Sequence, residues 1–169
     1  AYALYQLDLY RHRITLDVDV DESRLAPAHD HIVWLLGPGS LETLMWTLTH
    51  HQKQGGAKDV WLLMHPSQAV QRAVDDFMQL HSERHLQARP HVIELQGLSA
   101  AASYEAMQEV LKEVEPQAET GQKSVIIDIT SGTKPLAVGL LLAALAADCE
   151  VEYVESDRDA NGKPIPKTL

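Results

Sequence analysis

The chain has 169 residues, 45% of them hydrophobic and 22% charged, with a formal net charge of −10. One domain of this size buries roughly 70% of the surface its unfolded chain exposes, so it needs no disulfide or metal staple and is not a disordered chain. The acidic balance argues against duplex DNA as a partner, since that affinity comes from neutralising many phosphates with Lys and Arg. A small anion stays open, because backbone dipoles hold phosphate whatever the net charge. The single cysteine, Cys149, excludes an internal disulfide framework and fits a reducing, cytoplasmic compartment.

In chain order, residues 1–30 stand apart. Ile14, Leu16, Val18 and Val20 alternate with Thr15, Asp17 and Asp19, which reads as a half-exposed strand pairing with Tyr5–Leu9. Asp21–Asp30 reads as a linker. These residues form an N-terminal β extension, and 31–169 form the main domain.

From His31 on, strand and helix patterns alternate. Short apolar runs stand at His31–Leu36, Asp59–Met64, His91–Leu95, Val125–Ile129 and Glu150–Val154. Their Val, Ile and Trp content favours strands. Between them lie helical stripes: Leu41, Leu44, Met45 and Leu48; then Val70, Val74, Phe77 and Met78; then Tyr104, Met107, Leu111 and Val114. Ser40, Ser67 and Ser103 are expected N-caps, and Gly55-Gly56 should end the first helix. Leu136–Ala147 is apolar nearly all round, which predicts a helix packed between the sheet and a second subunit. The tail, with Asn161-Gly162, Pro164 and Pro166, predicts a loop or short hairpin. Strands alternating with helices give the fold class: α/β, a Rossmann-like sheet of mainly parallel strands with helices on both faces. No apolar run reaches the roughly 20 residues of a membrane span, and Ala1–Leu9 lacks the pattern of a signal peptide. The missing initiator Met suggests that a segment before Ala1, a membrane anchor or an effector, has been cut away.

In an open parallel sheet, ligands bind beyond the carboxyl ends of the strands. Two such ends carry distinctive loops. Gly37-Pro38-Gly39-Ser40, with Thr43, leaves the first core strand and opens a helix. Its glycines let a ligand approach the backbone, although Glu42 stands where a dinucleotide fingerprint needs Gly. A tight turn with a Ser cap explains this loop equally well. The second loop, Asp128-Ile129-Thr130-Ser131-Gly132-Thr133-Lys134-Pro135-Leu136, crowds three hydroxyls, a Gly and a Lys into five positions. Pro135 suits a first helical turn. A bland cap needs one hydroxyl, whereas Thr130, Ser131, Gly132, Thr133 and Lys134 together suit an anion at a helix N-terminus. The spacing is not that of a Walker loop.

This second loop resembles the Thr-Gly-Gly-Thr-Lys signature of CARF domains, the CRISPR-associated Rossmann-fold sensors. The resemblance runs from about His31 to Ser156, and Gly-Pro-Gly-Ser fits the family's first ligand loop. The tail residues Tyr153, Arg158-Asp159 and Gly162-Lys163-Pro164 are similar more weakly. The resemblance implies a homodimer that binds one cyclic oligoadenylate, above all cyclic tetra-adenylate, across its two-fold axis in type III CRISPR antiviral defence. It implies that Thr130 to Lys134 grip phosphate and ribose with Lys134 as the main cation, and that Gly37 to Ser40 and Thr43 line the first loop. His65 and Ser67, at the end of the second strand, would meet base or ribose. No cofactor, metal or catalytic residue is implied, and a binding module is the first reading. The alternative is a ring nuclease that cleaves the same messenger without metal, using Lys134, Thr133, Ser131 and His65. Ser131 departs from the family by replacing the first Gly of the usual pair.

Other features read as ordinary structure. Arg24…His29 and Arg84…His91 match the Arg-x4–6-His spacing of HEPN ribonucleases, but Pro27 and Pro90 interrupt them. His81 and His85 have metal-ligand spacing without a third ligand. Trp34, Trp46 and Trp61 read as core or interface, Cys149 as a small core residue, and the acidic run Glu105–Glu119 as a solvated face.

Overall fold

A computed structural model describes residues 26–37, 39–114 and 125–154, and the backbone of 156–158 and 164–166. The expected β extension at 5–20, Pro38, Arg24, and the tail's Asp159, Gly162 and Lys163 lie outside the described residues. Residues 26–30, the end of the expected linker, carry no helix or strand.

The strands are β1 (His31–Leu36), β2 (Asp59–Met64), β3 (Arg89–Glu94), β4 (Val125–Asp128) and β5 (Glu150–Glu152). The helices are α1 (Leu41–Lys53), α2 (Gln68–Glu83), α3 (Ala100–Val114) and α4 (Lys134–Ala147). All five strands run parallel, in the order β3-β2-β1-β4-β5. The chain steps outward from β1 to β3, then returns to the other side of β1. With right-handed crossovers, that reversal puts α1 and α2 on one face and α3 and α4 on the other. Alternation along the strands shows the result. Ile32, Trp34, Leu62 and Ile126 pack under α1 and α2, whereas Val33, Leu35, Leu63 and Ile127 pack under α3 and α4. β1, β2 and β4 are buried throughout, as expected of strands covered on both faces.

Strands β6 (Ser156–Arg158) and β7 (Pro164–Pro166) pair antiparallel, which is the hairpin expected of the tail. No helix among the described residues is long and apolar enough to cross a membrane.

Two local expectations change. Ser103 is not a cap. It lies inside α3, wholly buried, and its hydroxyl donates to Leu136 O of α4 at 2.8 Å. The capping bond comes from Ser99, whose Oγ accepts from Ala102 N–H at 3.2 Å. Met78, at the edge of the α2 stripe, is exposed. α4 buries only one side, through Leu136, Gly139, Leu140, Ala143 and Ala144. Gly139 is required there, since a Cβ would run into Ala100 O and Ser103 Oγ of α3. The opposite side of α4 is open in a single chain.

Candidate functional site

The strand order reverses between β1 and β4. Such a switch point splays the two following loops apart and opens a crevice at the carboxyl end of the sheet. The loops there are Gly37–Ser40 and Ile129–Thr133, the two that the sequence singled out. The second loop reaches across to the end of β1. The Ser131 hydroxyl donates to Leu35 O of β1. Gly132 turns at φ +93° directly over the Leu35 side chain, where a Cβ would stand 2.8 Å from Leu35 Cδ1. Only glycine fits both the space and the dihedral.

The first loop is held by its own serine. Gly37 N–H donates to Ser40 Oγ at 3.2 Å, and that hydroxyl donates to Gly37 O at 2.8 Å. Ser40 occupies the N-cap position of α1, but its hydroxyl closes the turn and makes no cap bond. Thr43 is buried in α1. Gly39 is exposed, at φ +80°.

The second loop divides into a held part and a presented part. Thr130 N–H donates to Asp128 Oδ1 at 2.6 Å, and Thr130 Oγ1 accepts Val154 N–H at 2.7 Å. Gly132, Thr133 and Lys134 are exposed. Thr133 is the N-cap residue of α4, in extended conformation, yet its hydroxyl makes no cap bond. Pro135 follows at the first turn, where its missing N–H costs nothing. An uncapped first turn, with its dipole and unbonded N–H groups, sits beside the Lys134 ammonium and the Thr133 hydroxyl. This is an open shelf of donors suited to an anion.

Beneath the shelf lies Asp128, wholly buried at the end of β4. Burial pushes its carboxyl up to about 8, and the neighbouring Glu152 carboxylate of β5 adds to the rise; the bonds from Thr130 oppose it. Glu152 stands 3.4 Å from Nε2 of the buried His51 of α1. His29 N–H points at His51 Nδ1 at 3.4 Å, which leaves Nε2 to carry the proton toward Glu152.

His65 and Ser67 follow β2, one strand away from the crevice. His65 is half-buried, and Ser67 uses its hydroxyl to accept from Val70 N–H at 3.3 Å, capping α2 as expected. A groove of about 530 Å³ adjoins them, lined by Pro66, Ser67, Gln71, Arg72 and Asp75. It does not include the switch-point loops.

Other sequence features resolve as structure. His81 Nε2 donates to Ala88 O at 2.5 Å, and His85 follows the end of α2 at φ +51°, so they do not share a helix face. Arg84 ends α2 while His91 sits in β3. Among the described residues, no group of three or more His, Cys, Asp and Glu side chains is placed to hold a metal.

One polar cluster went unread in the sequence. Asp59, buried at the head of β2, accepts from Arg89 Nε and His91 Nε2, each at 2.8 Å, and His31 Nδ1 lies 3.3 Å away. The His91 ring stacks on Trp61 at 3.9 Å. The signal was an ionisable residue at the head of each of three apolar strands.

No family model and no curated protein matches the chain. Among solved structures it is similar to Can2 from Sulfobacillus thermosulfidooxidans in complex with cyclic tetra-adenylate, with a TM-score of 0.60 at 20% sequence identity. The match covers 76% of this chain but 33% of that one, so the chain spans about a third of that protein's length. The likeness establishes the architecture that the sequence pattern and the resemblance to CARF domains led us to expect: a doubly wound, Rossmann-like α/β sheet.

Proposed function

We propose that this domain is the sensor half of a cyclic oligoadenylate receptor of CRISPR defence. It binds the ring as a homodimer and passes the event to an effector outside this chain. The carrying observation is the shelf at the switch point, where Gly132, Thr133 and Lys134 present an uncapped helix start beside the exposed Gly39 turn. Phosphates of a ring suit such a shelf, because each meets backbone N–H groups, a hydroxyl and an ammonium together. That Can2, of similar fold, was solved with cyclic tetra-adenylate supports the choice of ligand.

The homodimer reading rests on α4. Val138, Leu141, Leu142 and Leu145 recur at helical spacing on its open side, each between 38% and 52% exposed. A stripe of large apolar side chains on a helix marks an interaction face. Since α4 begins at the shelf, pairing along this stripe brings two half-sites together around one symmetric ligand.

The test is calorimetric titration with cyclic tri-, tetra- and hexa-adenylate, with linear tetra-adenylate as control. Tight binding of one ring per two chains is expected, with the ring recovered intact. No heat from any ring overturns the reading. Linear products would move the domain to the ring nucleases.

A further inference from the structure

We propose that Thr130 is a positioning residue: its hydroxyl straps the switch-point loop to the chain leaving β5, so that occupancy of the shelf is felt at Val154. The inference rests on the reading of that loop as a ligand site. The resemblance had implied that Thr130 grips the ligand; the geometry points elsewhere.

Thr130 stands in the middle of a short relay. Its N–H donates to Asp128 Oδ1 at 2.6 Å, and its Oγ1 accepts Val154 N–H at 2.7 Å. The lower end of the relay is fixed, because Asp128 is wholly buried and pairs in register with Glu152 of β5. One more backbone bond follows, Ile129 N–H to Glu152 O at 3.1 Å. Beyond it the two chains part, and the Thr130 hydroxyl continues their pairing with a side chain. The donor is a backbone N–H, so the partner must be a short side-chain acceptor close to the main chain, and the Thr130 hydroxyl supplies one.

The neighbouring hydroxyl pulls the other way, since Ser131 donates to Leu35 O of β1. Adjacent hydroxyls thus tie the loop to β1 and to the chain leaving β5, on the two sides of β4. Gly132 then turns, and the exposed Thr133 and Lys134 follow. The three hydroxyls of the motif divide by role: Thr130 and Ser131 hold the loop, and Thr133 faces out. β6 begins two residues after Val154, so a shift of the strapped loop displaces the start of the hairpin. The strap therefore supplies a mechanical path from shelf to hairpin that needs no contact between ligand and hairpin.

The experiment compares Thr130→Val, which keeps the shape and loses the acceptor, with Thr130→Ser, which keeps the acceptor. Amide hydrogen exchange at Val154 is followed by NMR with and without cyclic tetra-adenylate, alongside ring affinity. Losing the bond strands a part-buried donor, so Thr130→Val should speed Val154 exchange and weaken the ring, each by about tenfold. It should also abolish any ring-induced protection of Val154. Thr130→Ser should restore all three. Unchanged Val154 exchange in Thr130→Val overturns the strap, as does a Thr130→Ser that behaves like Val. Normal ring affinity in a Thr130→Val chain with fast Val154 exchange overturns the positioning role. If the unsubstituted protein takes no ring while Val154 exchange still answers to Thr130→Val, the ligand reading fails and the strap stands.

Discussion

The two ends of the sheet use polar side chains in opposite ways. At the amino end, Asp59 gathers Arg89, His91 and His31 around one buried carboxylate, and the cluster turns inward. At the carboxyl end, the buried carboxyl of Asp128 takes its hydrogen bonds from Thr130, its second oxygen has no partner among the described residues, and the donors of Thr133 and Lys134 are exposed. The first arrangement gives its carboxylate two charge-assisted hydrogen-bond donors. The second leaves a buried carboxyl oxygen unpaired among the described residues and its nearby donors exposed.

The contrast extends to titration. Asp128, raised to about 8 by burial and then by Glu152, contributes stability that is fully present below its ordinary 3.8 and lost as pH climbs through 8. The amino end runs the other way. Burial lowers the His31 value from 6.5, so its contribution is present above 6.5 and lost as pH falls through the lower folded value. At Asp59 burial would raise the value, but the hydrogen bonds from His91 and Arg89 outweigh it, and the net shift is downward from 3.8. Its contribution is lost in still stronger acid. The largest expected effect is therefore the alkaline limb. Between pH 5 and 8, stability should fall with a slope of up to about 1.4 kcal/mol per pH unit. Asp128→Asn, which keeps an oxygen for Thr130 N–H, should flatten that limb and leave the acid limb in place. Urea unfolding at four pH values checks it, and a variant that keeps the slope would assign it elsewhere.

Next in size is Asp59→Ala. Arg89 is mostly exposed and returns to water, so the cost falls on His91 and His31. A loss of about 2 kcal/mol is expected, with ring affinity unchanged. Lys134→Ala should do the converse. On the proposed reading it removes a charge-assisted phosphate contact worth about 1.5–2 kcal/mol of binding, some tenfold or more in Kd, and leaves the unfolding midpoint in place. A Lys134→Ala protein that unfolds early, or an Asp59→Ala protein that loses the ring, would erase the distinction between the two ends.

The sequence exposed these two ends unequally, for a physical reason. The carboxyl-end loops are contiguous, so Gly37–Ser40 and Thr130–Lys134 could be read as motifs. The strands were legible because burial on both faces makes them continuously apolar, and boundaries slipped by only a residue or two at β3, β4 and β5. Asp59 was illegible, because its partners His31, Arg89 and His91 stand 28 to 32 residues away and meet only through strand register. Register and strand order are properties of the sheet, not of any segment. The same holds for Ser103, whose cap-like sequence context hides a bond to a helix more than thirty residues further on. For α4, composition showed that the helix is apolar but could not show which side the sheet leaves open. Within the second motif, residue types announced three hydroxyls, yet their division between holding and presenting depends on Val154 and Leu35, which only the fold brings near.

The finest comparison lies within the carboxyl end itself, between two residues in the same N-cap position. Ser67 and Thr133 both precede helices in extended conformation, at φ −150° and −84°. Ser67 Oγ accepts from Val70 N–H, while the Thr133 hydroxyl makes no cap bond. A capping hydroxyl is worth about 1 kcal/mol to the protein, so Ser67→Ala should lower stability by that much without touching ring affinity. Thr133→Ala should leave stability within about 0.5 kcal/mol. It should weaken the ring by about 1 kcal/mol, roughly fivefold, because the hydroxyl is free to meet a phosphate oxygen. Unfolding midpoints and ring titrations on the two variants decide it. If Thr133→Ala destabilised the chain and spared the ring, its hydroxyl would be an ordinary cap that this conformation fails to show, and the shelf would lose one of its donors. If Ser67→Ala weakened the ring, the ligand would reach past the switch point to the end of β2, and the groove beside Ser67 would become part of the site.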